Sequence, residues 1–293
     1  MPRFVERVER TFVDAEGVTI HFHVWPVVAP TAIVQLQHGL GEYAARYEPF
    51  AQDLANAGFA VWAADARGHG RTGLEQHGGD ASKLGRLGPG GIRATVAGLR
   101  RFTDLIRSEN AGAPLALLGH SWGSLLAQLI LAESAAPFDA VVLSGTAFRT
   151  FRHMNSGDLA RRHAVRGGPR TEWLSRDVAV QTAFATDPLT FAAQATKLFG
   201  IREGLRLLGT PRALDRDVPV LLQVGEDDSF GGPRSVQRLA GAYRAAGVSD
   251  VTVQVYPDAR HEIYNELNRD EVIADLIAWL DGHLKYVPPR RRR

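Results

Sequence analysis

The chain has 293 residues, 45% of them hydrophobic and 23% charged, an ordinary globular balance in a chain long enough to bury a large core. It contains no cysteine, which excludes disulfides, thiolate metal centres and a cysteine nucleophile. The net charge is only +2, less than the four arginines of 290–293 contribute, and no basic stripe interleaved with aromatics points to nucleic acid.

From the start, residues 1–17 alternate charged and apolar side chains, so no cleaved export signal is expected and the chain is read as cytoplasmic. Short apolar runs at 19–25, 32–37, 59–64, 115–118, 141–144, 220–224 and 251–256 predict strands. Segments of helical period at 46–57, 91–107, 124–133, 234–246 and 269–284 predict helices between and after them. The repeating order predicts an α/β fold with a mostly parallel central sheet flanked by helices. The apolar stretch 114–132 is interrupted by His120, Ser121, Gly123, Ser124 and Gln128, and reads as strand, turn and helix rather than a membrane span.

Two intervals break the alternation. The glycine-rich 75–91 has no helical period and predicts an irregular excursion. Between 146 and 217 no strand is expected, and an insertion of that length between sheet strands is usually functional. The expected organisation is therefore a core of 1–145 and 218–285, a helical lid of 146–217, and a basic tail of 286–293 read as a solvated end. Phe148, Phe151, Trp173, Phe184, Phe191, Leu198 and Phe199 offer the insertion's apolar surface for an acyl site, while Arg161-Arg162 is expected on its solvent side.

Gly119-His120-Ser121-Trp122-Gly123 fits G-x-S-x-G, and it follows an apolar strand and opens a helix, as a nucleophile elbow requires. A serine hydroxyl needs a base to remove its proton, and the base needs an orienting carboxylate. Gly225-Glu226-Asp227-Asp228 follows one strand and Pro257-Asp258-Ala259-Arg260-His261 the next, so acid and base candidates sit past strand C-termini in the order Ser, acid, His. His38-Gly39-Leu40-Gly41-Glu42 follows the 32–37 strand, where this architecture supplies an oxyanion donor; the backbone N–H groups of Leu40 and Trp122 are the candidates. His38 and His69 are read as structural hydrogen-bonders. His21 and His23 share a strand face, yet no further ligand cluster accompanies them and His261-Glu262 is followed by Asn265 where H-E-x-x-H needs histidine, so no metal is implied.

These residues together resemble the monoacylglycerol lipase and lysophospholipase branch of the α/β-hydrolases. The matches are His38-Gly39-Leu40-Gly41-Glu42 with Arg46-Tyr47, Asp65-Ala66-Arg67-Gly68-His69-Gly70, His120-Ser121-Trp122-Gly123, Gly225-Glu226-Asp227-Asp228 and His261-Glu262. The family's usual elbow carries Met where Trp122 stands, and the insertion holds no matching substrate motif. The resemblance implies a serine hydrolase of Ser121, His261 and Asp228, with Asp227 the competing acid, acting on monoacylglycerol-like or medium-chain esters without a cofactor. A lysophospholipase, a small-ester esterase, a proline-releasing peptidase and a cofactor-free perhydrolase share the same triad, and a catalytically silent binding protein is the reading of another class. The expected partner is a small-molecule acyl ester, with transient membrane-surface contact through the lid or the basic tail as the alternative to a purely solvated surface.

Overall fold

The computed structural model describes residues 3–284, so the Arg290–Arg293 tail lies outside the described residues. Strands β1 (Val8–Val13), β2 (Thr19–Trp25), β3 (Ala32–Gln37), β4 (Phe59–Ala64), β5 (Leu115–His120), β6 (Ala140–Ser144), β7 (Val220–Gly225) and β8 (Val251–Tyr256) form one sheet in the order β1-β2-β4-β3-β5-β6-β7-β8. The β1–β2 and β2–β4 pairings are antiparallel and every later pairing is parallel. Helices α1 (Glu48–Asn56), α2 (Gly70–Gln76), α3 (Gly91–Glu109), α4 (Trp122–Glu133), α5 (Val178–Thr186), α6 (Ala195–Arg206), α7 (Gly232–Ala245) and α8 (Arg269–His283) fill the connections. This is the α/β-hydrolase fold.

The central strands read as unbroken apolar runs because both of their faces are covered. Along β5, Leu115 and Leu117 join one core cluster with α3, α4 and α7, while Ala116 and Leu118 join a second with α1 and α8. The same two-residue alternation divides Val141 from Val142 on β6 and Leu222 from Leu221 on β7. Among the described residues, no helix is long and apolar enough to cross a membrane, and 114–132 forms β5, a turn and α4 as expected.

Three features depart from the expectation. β1 was not foreseen: it is an edge strand, mostly exposed, whose one partly buried residue, Phe12, stacks on Phe102 at 5.8 Å. α2 was not foreseen either, because it is nucleated from a distance, Asp65 accepting the N–H groups of Ala44 and Arg71 at 2.8 Å each. The insertion 146–217 contains no strand, but it is less helical than expected: a short 3-10 turn at Leu159–Arg162, α5, and an α6 interrupted at Gly200, with irregular chain between. It covers the C-terminal edge of the parallel strands, Phe191 N–H bonding to Gly41 O after β3 (3.0 Å) and Glu262 N–H after β8 bonding to Leu174 O (2.6 Å).

Candidate active site

Ser121 stands alone between β5 and α4, with φ 53° and ψ −123°. A side chain in this region costs of order 1–3 kcal/mol, a conformation that persists only where the surroundings enforce it. Ser121 N–H is held by Ser144 O at 2.9 Å, and Ser124 Oγ donates to Ser121 O at 2.5 Å. The two glycines of the motif are required by space: a Cβ on Gly119 would stand 2.5 Å from Gly123 O, and one on Gly123 2.5 Å from His38 O. Packed glycine backbone thus presents the serine at the start of a helix.

The three residues proposed from the strand ends converge. His261 Nε2 lies 2.7 Å from Ser121 Oγ, and His261 Nδ1 lies 2.9 Å from Asp228 Oδ1. His261 is 1% exposed and Asp228 3%. Asp228 Oδ1 also accepts Phe230 N–H at 2.8 Å, which fixes the carboxylate plane. Asp227 points the other way: its side chain is 39% exposed and paired with Arg162, while the ring nitrogens of His261 bond to Asp228 and Ser121. Burial opposes a charge on His261, but Asp228 outweighs it with further help from Glu262 and Glu42, so the imidazole is more basic than usual. On the other side His120, 4.9 Å from the His261 ring, is pushed down to about 4 by burial and by His261, and stays neutral.

Leu40 and Trp122 both border the space above Ser121, and among the described residues no backbone carbonyl takes up either N–H. His38 supports the turn, Nδ1 donating to Gly39 O at 2.7 Å while Nε2 accepts Ala66 N–H at 2.9 Å. His69 bonds to Arg67 O at 2.9 Å and stacks on the Trp122 indole at 5.0 Å. Burial lowers both histidines, His69 to about 3, so they serve as neutral hydrogen-bonders, as expected. His21 bonds to Glu9 (3.2 Å) and Glu75 (2.7 Å).

Sequence reasoning matched Glu42, Arg46 and Glu262 to a family pattern without assigning them work. In the structure Arg46 Nη1 bridges Glu42 Oε2 (2.5 Å) and Glu262 Oε1 (3.1 Å), with Nη2 3.2 Å from Glu262 Oε2. Glu42 Oε1 in turn accepts the Gly39 N–H (2.6 Å) and the Tyr47 hydroxyl (2.8 Å). The residue beside His261 is therefore tied through one buried guanidinium to the turn that carries Leu40. Phe184 of α5 covers that guanidinium at 4.8 Å. Their places in the motifs that carry the family resemblance were the available signal, but only the fold brings them together.

A cavity of about 620 Å³ opens above Ser121 between the sheet edge and the insertion. Of the seven insertion residues expected to offer an acyl surface, Trp173, Phe184, Phe191 and Leu198 border it. Phe148 and Phe199 instead pack against the main core, Phe199 lying 5.8 Å from Trp122, and Phe151 is 77% exposed. Arg161 and Arg162 are exposed, where charge is not desolvated.

Known proteins agree with this architecture. The Hydrolase_4 family, described as serine aminopeptidase S33, matches residues 28–268. A monoacylglycerol lipase of Mycolicibacterium smegmatis is 30% identical over 95% of this chain and 98% of its own, and a human monoglyceride lipase is 28% identical over 87% and 84%. Among solved structures, a thermostable carboxyl esterase from Bacillus coagulans in complex with glycerol superposes with a TM-score of 0.82 at 22% identity, covering 95% of this chain and 99% of the other. A soluble variant of monoglyceride lipase from Saccharomyces cerevisiae, in complex with a substrate analog, gives 0.72 at 21% identity, covering 96% of each chain. With the elbow, the strand order and a match across most of its length, the chain belongs to the Hydrolase_4 family of α/β-hydrolases and resembles its monoacylglycerol lipases.

Proposed function

We propose that the protein hydrolyses monoacylglycerol-like, medium-chain carboxylic esters through an acyl-enzyme on Ser121. The observation that carries this reading is the hydrogen-bonded chain Ser121–His261–Asp228 at the floor of a largely apolar cavity. His261 takes the Ser121 proton, Oγ attacks the ester carbonyl, and the oxyanion develops against the N–H groups of Leu40 and Trp122. His261 then gives its proton to the leaving alcohol, and water activated by the same base releases the acid. Asp228 holds the imidazole with Nδ1 protonated, so that Nε2 faces the serine as an acceptor.

The family description names a peptidase, and an aminopeptidase needs a carboxylate to meet the free ammonium of its substrate. Among the described residues bordering the cavity, each acidic side chain already has an arginine: Glu42 and Glu262 share Arg46, and Asp158 pairs with Arg170 at 2.6 Å. This favours the ester.

The insertion 146–217 acts in this reading as a lid over the core of 1–145 and 218–285. Its exposed Phe151, Val178, Ile201 and Leu205 would meet a lipid surface transiently during substrate uptake. The test is a panel of p-nitrophenyl esters from acetate to dodecanoate beside monoacylglycerol, lysophospholipid and a prolyl amide. Each methylene buried in the cavity improves kcat/KM by at most about fourfold, corresponding to roughly 0.8 kcal/mol. Selectivity therefore climbs through medium chains and levels off once the cavity is filled. A flat profile, an optimum at acetate, or turnover of the prolyl amide alone would overturn it.

A further inference from the structure

Trp173 takes no part in the hydrogen-bonded chain, yet it lies directly on the base. Its ring centroid is 4.8 Å from that of His261 with the planes inclined by 34°. Two rings lying side by side in a plane could not come this close, so the indole presents its face to the imidazole. Phe230 makes an edge-to-face contact with the same imidazole at the longer distance of 5.7 Å and 76°.

The backbone holds the indole there. His261 N–H points to Trp173 O (3.4 Å), Glu262 N–H bonds to Leu174 O (2.6 Å), and Arg260 Nη1 bonds to Glu172 O (2.5 Å). Ser175 Oγ donates to Asn265 O (2.9 Å), and Arg176 N–H donates to Glu266 Oε1 (2.9 Å). The stretch 172–176 is thus joined to the loop carrying His261 at five successive points. This part of the insertion is anchored to the loop that carries His261.

We propose that Trp173 is a positioning residue for the reaction, its indole face capping His261 and favouring the imidazolium that forms when Ser121 gives up its proton. The proposal rests on His261 being the base. An aromatic face carries negative electrostatic potential and attracts a cation above it, most strongly where water is excluded. His261 is buried, so the imidazolium has little water to draw on. The other polar groups around it are Asp228 at Nδ1, Ser121 at Nε2, neutral His120, and the Glu42–Arg46–Glu262 bridge, and each persists when the indole is removed.

Because Trp173 also borders the cavity, the test must separate capping from acyl binding. Trp173→Leu keeps an apolar cover but lacks a π face, whereas Trp173→Phe keeps a smaller one. With p-nitrophenyl acetate, whose acyl group is too short to fill the cavity, Trp173→Leu should lower kcat about threefold or more while KM stays within about twofold. The acidic limb of its kcat/KM profile should move to lower pH by roughly half a unit or more, and Trp173→Phe should recover most of both effects. Unchanged kcat and an unmoved limb, with losses confined to KM on long-chain esters, would overturn the proposal and leave Trp173 as cavity wall. Should Trp173→Leu melt within the assay range, Trp173→Met replaces it with the same expectations. His261→Ala in the same assay separates the two readings. If it stays active the base assignment fails, and if it is inactive while Trp173→Leu behaves as wild type only the capping proposal fails.

Discussion

Replacing Asp228 with Asn tests the acid assignment at the point where two adjacent aspartates compete. Asp228 Oδ1 accepts from both His261 Nδ1 (2.9 Å) and Phe230 N–H (2.8 Å), while Oδ2 is buried and meets no protein donor among the described residues. An asparagine oxygen in the Oδ1 position keeps both bonds but buries an unsatisfied NH₂, at a cost of about 1–3 kcal/mol. The flipped amide instead sets a donor against two donors and drives His261 to the tautomer with its proton on Nε2, where it cannot accept from Ser121. Both arrangements also remove the charge that stabilises the imidazolium. We expect kcat to fall on the order of ten-thousand-fold, as in other Ser–His–Asp enzymes, which corresponds to about 5.4 kcal/mol of lost transition-state stabilisation. Asp227→Asn removes an exposed pair with Arg162 and should leave kcat within about threefold. Steady-state kinetics of both variants on p-nitrophenyl butyrate, with circular dichroism to confirm folding, decide the matter. The reverse ranking, or an Asp228→Asn enzyme within tenfold of wild type, would refute the reasoning.

Ser121→Ala should abolish turnover and labelling by a fluorophosphonate probe, while a melting curve stays close to wild type because the hydroxyl's one side-chain partner among the described residues is His261; residual turnover within tenfold of wild type would refute the nucleophile. Glu262→Gln removes one of the carboxylates that keep His261 basic, so the acidic limb of kcat/KM, which rises as His261 loses its proton, should move to lower pH. The same change leaves buried Arg46 with one carboxylate fewer and should lower the melting temperature. Gly123→Ala would drive a Cβ against the carbonyls of Gln37 and His38, and a sharp loss of folded yield on size-exclusion chromatography is expected.

How far the site could be read in advance follows from the range of the interactions involved. The elbow was legible because its constraints are local: a strand, a strained turn and a helix within a few residues leave room only for glycine on either side of Ser121. The parallel strands were legible because burial on both faces writes itself as an apolar run, and the main helices because their period is 3.6. β1 was not, since an edge strand with one face in water is held by pairing with β2 rather than by its own pattern. Asp227 and Asp228 are neighbours of the same type, separated in the sequence only by the family resemblance, which favours Asp228. What separates them in the structure is that the Asp227 side chain pairs with Arg162 at the surface, while buried Asp228 faces inward to His261.

The amino-acid order by itself determined the class of chemistry, because a nucleophile elbow followed by an acid and a histidine at successive strand ends is set by short stretches of chain whose geometry their own residues dictate. Only the tertiary structure decided that Asp228 rather than Asp227 hydrogen-bonds to His261, which four of the seven large apolar side chains singled out in the insertion border the cavity, that Arg46 joins the turn carrying Leu40 to the residue beside His261, and that Trp173 lies against the His261 ring. Apart from the local Arg46–Glu42 pair, those contacts join residues dozens to hundreds of positions apart, and such separations carry no periodicity or local propensity. They exist because the sheet brings its strand ends to one edge and the insertion is packed over it.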